Sequence, residues 1–242
     1  GSLTEDKQLP AKLEQLQHKQ AEKNALLQQL QASGDQQVST VDPDARLLTK
    51  RGQTVSGYNV QIAVDDRHKL IVVDEVTQAG NDVHQLAPMM AKAQDTLPSK
   101  NLTGLADSGY YEGNQLKSCE DQNTPVYVAI PDKSKALAAK GRLTREQFSY
   151  APEQNAYRCP QGKLLTASGK AHQKNGKWLT RYTSKAADCS QCPLREQCLT
   201  EKATIKQIQR WEHEAVIERH RQRMAQQPGI MKKRAALVEH PF

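Results

Sequence analysis

A single carboxylate in an unusual position is the first candidate for chemistry. Asp107 follows the short apolar run Leu102 to Ala106, which predicts a buried strand, and Ser108-Gly109-Tyr110 after it predicts a tight turn. Open α/β sheets place their sites at the carboxyl ends of such strands. The alternative is that Asp107 only caps the helix that follows.

Cysteines form the second candidate site. Cys159, Cys189, Cys192 and Cys198 have the spacing C-x29-C-x2-C-x5-C, and two thiolates two residues apart can chelate one ion. Structural Zn²⁺ is the preferred interpretation, an iron–sulfur cluster suits the same four ligands, and free thiols are the third possibility. Cys119 stands apart and is expected to be a buried apolar residue.

Basic residues dominate the charge of the chain. The 242 residues carry a formal net charge of +7, and the pI is about 9.1. Basic side chains bind nucleic-acid phosphates by releasing counterions, although a solvated basic surface has the same composition. Candidates for DNA contact lie near the C-terminus: Arg219, Arg223, Lys232, Lys233 and Arg234. The sequence contains neither a membrane-spanning apolar run nor an apolar export signal.

These residues must be positioned by a mixture of helices and strands. Residues 10–32 predict a helix, docked along part of its length, because Gln20 and Lys23 interrupt its leucine heptads. Residues 58–65 and 69–77 predict a strand hairpin. A helix (83–97), a strand (102–106), a helix (112–122) and a strand (125–130) follow, and together they predict one mixed sheet covered by helices.

The remaining residues divide into an insertion and a helical end. Residues 133–205 are polar and rich in glycine, and they contain four of the five cysteines. Helices are expected over 208–224 and from 230 to 239. The predicted parts are therefore an N-terminal helical segment (1–40), a first core part (41–132), a Cys₄ insertion (133–205) and C-terminal helices (206–242).

Several motifs occur in the order found in a known family. They are Asp42-Pro43-Asp44-Ala45-Arg46, Gly57 to Gln61 through Val64-Asp65, Asn81-Asp82, Ala106 to Tyr110, and Arg234 with Val238-Glu239-His240-Pro241-Phe242. This set resembles bacterial insertion-sequence transposases with an RNase H-like DDE domain. The expected fold class is accordingly α/β, an RNase H-like mixed sheet with flanking helices, an N-terminal helical segment and a Cys-rich insertion.

The resemblance implies a two-metal site for cutting and joining DNA strands. Two aspartates and one glutamate would hold Mg²⁺, whose paired ions activate the attacking oxygen and stabilise the leaving oxygen. Asp107 matches the second aspartate and Glu239 matches the glutamate. On its own, Glu239 also suits an ordinary surface ion pair beside Lys232, Lys233 and Arg234.

One part of the family pattern is missing. The family carries its first aspartate in an Asp-Gly-Thr-like segment ahead of the helix, and no such segment occurs in this sequence. Asp65 and Asp44 are the candidate substitutes, although Asp65 resembles the strand-end aspartate of the family's hairpin and Asp44 belongs to a linker motif. The chain is therefore expected to be an inactive fragment, truncated at both ends.

The sequence thus predicts a DNA transposase domain that acts on double-stranded transposon ends and target. It is expected to form a homo-oligomer on DNA, in the cytoplasm at the bacterial nucleoid. The alternative is a non-catalytic DNA-binding or assembly module in which Asp107 and Glu239 are relics.

Overall fold

The computed structural model describes residues 9–34, 37–50, 52–99, 101–132 and 134–238. The chain divides into two compact units, Gly1–Ala63 with Ile71–Asp82, and Val64–Leu70 with Val83–Phe242. The mixed α/β class is confirmed. The predicted four-part domain division stays a prediction.

The first unit contains one long helix and two hairpins. Its elements are α1 (Leu9–Ser33), β1 (Arg46–Lys50), β2 (Gln53–Gly57), β3 (Asn59–Val64) and β4 (Ile71–Thr77). None of the α1 residues that the structure describes is buried, so the expected docking of this helix is not seen. The β1–β2 hairpin was not predicted, although Gly52, at φ 79°, is a typical turn residue.

The second unit begins with a parallel strand pair and its helices. These elements are α2 (Leu86–Thr96), β5 (Gly104–Ala106), α3 (Gly113–Asp121), β6 (Val126–Val128) and α4 (Lys135–Ala138). Helix α3 connects β5 to β6, as parallel pairing requires a crossover. Leu116, Cys119 and Val128 are buried in the core that this arrangement forms with Trp211 and Ile217.

The predicted single mixed sheet is not formed among the described residues. Strands β3 and β4 pair only with each other, and β5 pairs only with β6. Among the described strands, none pairs both with this hairpin and with β5 or β6.

An antiparallel sheet occupies most of the predicted insertion. Its strands are β7 (Ser149–Ala151), β8 (Ala156–Arg158), β9 (Leu164–Ala167), β10 (His172–Lys174), β11 (Lys177–Thr183) and β12 (Gln207–Trp211). The order is β10-β11-β9-β8-β7, and β12 also pairs with β11. Phe148, Tyr157, Leu165, Tyr182 and Ile208 form a second core on this sheet.

Helices complete the second unit. They are α5 (Ala186–Ser190), α6 (Arg195–Cys198), α7 (Glu214–Gln226) and α8 (Ile230–Val238). The prediction of a helix beginning at 208 was wrong, because residues 207–211 pair with β11 as β12. Ile208 and Trp211 are both buried, and because they are three residues apart they lie on opposite faces of this strand.

The second core supplies a stability test. Leu165 is fully buried, and its replacement by alanine removes packed methyl groups and leaves a cavity. We expect Leu165→Ala to lower the free energy of unfolding by about 2–5 kcal/mol in urea denaturation. The control is Leu137→Ala, because Leu137 is 48% exposed and such a change should stay within about 0.5 kcal/mol. Equal effects of the two changes would contradict the assignment of Leu165 to a core.

Candidate functional site

Asp107 lies directly after β5, at the carboxyl end of the parallel pair. Its Oδ1 accepts a hydrogen bond from the Gly109 backbone N–H at 2.8 Å, and this caps a one-turn 3-10 helix at Ser108–Tyr110. Asp107 therefore caps this short helix, in line with the alternative interpretation of its sequence position. This cap leaves Oδ2 for a second partner, so capping and metal binding are compatible.

Arg234 provides that second partner. Its guanidinium donates from Nη2 to Asp107 Oδ2 at 3.0 Å, and the side chains of Asp107 and Arg234 are 47% and 25% exposed. An ion pair with this exposure stabilises the fold by about 0.2–1 kcal/mol. Its main effect is geometric, since it ties α8 to the end of β5.

Lys233, the neighbour of Arg234 in α8, pairs with a different carboxylate. Its ammonium group forms an ion pair with Asp66, in the turn between β3 and β4. This pair and Lys69 hold the pKa of Asp66 below its usual range. Helix α8 is thus anchored by consecutive residues to the 64–70 turn and to Asp107. Sequence reasoning missed Asp66, although the adjacent pair Asp65-Asp66 was a visible signal.

Asp65 has a different set of partners. Oδ2 accepts hydrogen bonds from the backbone N–H groups of Arg67 and His68, at 3.0 and 2.8 Å, and Oδ1 accepts one from Leu70 at 3.0 Å. These bonds, led by the one from His68, lower the pKa of Asp65. The carboxylate therefore closes the hairpin turn. Its use as the first metal ligand stays a prediction.

Glu239 follows the last residue of α8 in sequence and lies outside the described residues. Within the described ranges, no group of three or more His, Cys, Asp or Glu side chains is arranged to hold a metal ion. Asp107 and Asp65 are the predicted Mg²⁺ ligands that the described ranges contain, and the role of Asp107 as a metal ligand stays a prediction. Asp107 offers hard carboxylate oxygens of the kind Mg²⁺ prefers.

The basic residues predicted to bind DNA are mostly engaged within the protein. Arg219 pairs with Glu120, and Lys233 and Arg234 pair as described above. Arg223 is half-buried beside a small cavity lined by Glu120 and His220. Lys232 is exposed on α8, and among the five it is the best placed to reach a phosphate.

The four predicted metal-binding cysteines line one cavity. Cys159 comes from the β8–β9 turn, and Cys189, Cys192 and Cys198 come from the α5–α6 segment. Burial raises the pKa of the Cys198 thiol, the positive charge of Lys206 opposes this increase, and the other three thiols add to it. Cys119 lies elsewhere in the first core, where burial raises the pKa of its thiol to about 11.

Motif residues in the first unit form a polar network. Gln61 is 2% exposed, and its Nε2 donates at 2.7 Å to Asn59 Oδ1 and to Asp82 Oδ1. Asn59 Nδ2 also donates to Asp82 Oδ1 at 2.9 Å. Buried polar groups need such partners. These motif residues therefore position the β3–β4 hairpin.

The described residues thus form a mixed α/β protein with an aspartate at the carboxyl end of a parallel strand pair. Comparison with protein families gives a match to the transposase DDE domain over residues 28–226. The chain belongs to this family. No curated protein and no solved structure matches it.

The matched range contains Asp107 and the four cavity cysteines, whereas Glu239 lies beyond it. The predicted transposase family is confirmed. Domains of this family are RNase H-like in general, generally use Mg²⁺, and act on DNA. No helix within the described ranges is long and apolar enough to span a membrane.

The Asp65 turn gives a prediction with a pH dependence. Because the folded-state pKa is lowered, the stabilisation is present above the unfolded pKa of about 3.9 and is lost as the pH falls through the folded value. We expect Asp65→Ala to lower the urea midpoint at pH 7 and to have a smaller effect near pH 2. Asp95→Ala, which changes an exposed carboxylate of α2, is the control. A pH-independent loss in Asp65→Ala would show that the carboxylate charge is not involved.

Proposed function

We propose that this chain is a catalytic domain of an insertion-sequence transposase, the class of enzyme that cuts DNA strands and joins them by two-metal phosphodiester chemistry. In this proposal the 242-residue chain does not cut DNA by itself, because it lacks the Asp-Gly-Thr-like segment. The observation that carries the proposal is Asp107 at the carboxyl end of β5, within the matched family range and next to α8. Asp107 and Glu239 would hold the Mg²⁺ ions. When bound, the ions supply activation of the attacking oxygen and stabilisation of the leaving oxygen.

The residues of this chain orient the carboxylate before any ion arrives. The Gly109 N–H fixes one oxygen of Asp107, and Arg234 fixes the other. A carboxylate held in this way loses less rotational freedom on binding a ligand, which favours the geometry that metal-assisted chemistry requires. Arg234 is therefore a positioning residue in this proposal.

The alternative is a non-catalytic DNA-binding or assembly module. The Arg234–Asp107 ion pair is the observation that favours it, because a carboxylate neutralised by an arginine is a complete structural contact without a metal. Under either function the partner is double-stranded DNA at transposon ends and target, bound by a homo-oligomer at the bacterial nucleoid. The cysteine-lined cavity is considered separately below.

Manganese binding distinguishes the two functions. Replacing a residue that only hydrogen-bonds a metal ligand weakens metal affinity by about 10–100-fold. Replacing a ligand itself should cost at least as much, so we expect Asp107→Asn to reduce Mn²⁺ affinity at least about 10-fold. Glu239→Gln should reduce it as well. The measurement is an electron paramagnetic resonance titration of free Mn²⁺ with the purified chain.

Asp95→Asn is the matched control for this titration, because it removes one exposed negative charge of α2 that is not a predicted metal ligand. Weakened binding in Asp107→Asn but not in Asp95→Asn supports the catalytic function. If the wild-type chain binds no more Mn²⁺ than Asp107→Asn does, the catalytic proposal fails and the non-catalytic module is the better description.

The DNA contact is tested through its salt dependence. Each phosphate neutralised on duplex DNA contributes about −0.9 to the slope of log K against log salt concentration. We expect Lys232→Ala to weaken binding of a DNA duplex and to reduce the magnitude of this slope by about 0.9. Lys12→Ala, on α1, is the control with the same change of charge. An unchanged slope in Lys232→Ala would exclude this residue from the DNA contact.

A further inference from the structure

Four thiols that are far apart in sequence share one small cavity. Cys159 lies 30 positions before Cys189, yet both line the same space together with Cys192 and Cys198. All four are free thiols, and each is half-buried. Hydrophobic packing alone does not explain why four polarisable sulfur atoms should converge where Leu165 and Phe148 already supply an apolar core.

We infer that this cavity, the cysteine cavity, is a structural Zn²⁺ site with Cys159, Cys189, Cys192 and Cys198 as its four ligands. The site lies apart from the Asp107 region, and the inference does not depend on the proposed catalytic function. Zn²⁺ takes four thiolates in a closed tetrahedral arrangement in structural sites.

The cavity has room for a metal ion. Its volume is about 30 Å³, and a cavity of about 10–15 Å³ on this measure holds one water molecule. Ion binding draws the sulfur atoms inwards to Zn–S distances of about 2.3 Å. In the described residues the four thiols are not yet arranged around a common point as metal ligands. Rotation of the cysteine side chains between staggered positions can bring the sulfur atoms together.

A hydroxyl donor stands beside one of the ligands. Ser184 Oγ is 3.1 Å from Cys189 Sγ, and the same oxygen accepts the Lys206 backbone N–H at 2.8 Å. A thiolate can only accept, so Ser184 would donate its hydroxyl proton to the sulfur of an ionised Cys189 while Oγ accepts the Lys206 N–H. Ser184 is buried. A donor held against a thiolate is the kind of outer contact that orients metal ligands.

The charge around the cavity suits a bound thiolate site. Four thiolates and one Zn²⁺ carry a net charge of −2, which needs compensation in a partly buried place. The lining includes Lys163, Arg195 and Lys206 together with the carboxylate of Asp188, which is 3.8 Å from Lys163, so its net charge is positive. Lys206 also donates from Nζ to the Cys198 carbonyl at 3.3 Å, which holds its ammonium group near this ligand.

The metal would fix two parts of the second unit to each other. Helices α5 and α6 contain five and four residues, which is too short for stability on their own. The β8–β9 turn belongs to the antiparallel sheet. A Zn²⁺ ion joining them adds its binding free energy to folding, as in other small metal-stabilised modules.

Metal analysis of the purified full chain tests the inference. We expect one Zn²⁺ per chain by elemental mass spectrometry, and after exchange with Co²⁺ the intense visible absorbance of tetrahedral thiolate coordination. Cys192→Ser should lose the metal. The control is Cys119→Ala, which removes the cysteine outside the cavity and should retain it.

A thiol titration keeps the test valid if Cys192→Ser does not fold. A mercurial reagent added to the wild-type chain should release the Zn²⁺ in step with the reaction of four thiols. Absence of metal together with failure to take up Co²⁺ would overturn the inference. Iron with a visible cluster spectrum, disulfides among the four cysteines, or full Zn²⁺ retention in a folded Cys192→Ser protein would also overturn it.

Discussion

Two consecutive basic residues of one helix hold the candidate active site together. Lys233 reaches Asp66 and Arg234 reaches Asp107, and successive residues on a helix point in directions about 100° apart. Helix α8 can therefore contact a hairpin turn and a strand end at once. These contacts are weak individually. Together they fix α8 to the carboxylates of Asp66 and Asp107, and the predicted metal ligand Glu239 follows α8 in sequence.

Charge balance decides how this arrangement could change on binding DNA. Three of the five basic residues predicted to contact DNA already face a carboxylate: Arg219, Lys233 and Arg234. A phosphate or a divalent ion entering the region would compete with these internal pairs. The two proposed partners, DNA and Mg²⁺, would therefore both act on the Asp107–Arg234 ion pair. A metal ion would compete with Arg234 for the Asp107 carboxylate, and a DNA phosphate would compete with Asp107 for Arg234.

The second unit uses two different means of stabilisation. Leu116, Cys119 and Val128 bury apolar surface around the β5–β6 pair, which provides hydrophobic stabilisation in the usual way. The antiparallel sheet has a small aromatic core around Tyr157 and Tyr182. Beside it the polar segment 184–206 contributes few buried side chains, and here the cysteine cavity takes the place of a larger core.

The sequence by itself determined the helices α1, α2, α3 and α8, the β3–β4 hairpin, the transposase family and the grouping of the cysteines, because periodicity and motif order are local properties. Tertiary structure decided the rest. Residues 207–211 became β12 because β11 offered a partner. Asp65 accepts backbone hydrogen bonds within its turn, whereas its neighbour Asp66 forms an ion pair with Lys233 of α8. The sequence gives no sign of this difference between the two aspartates. Which carboxylate meets which cation depends on contacts between residues over a hundred positions apart, and no local pattern encodes them.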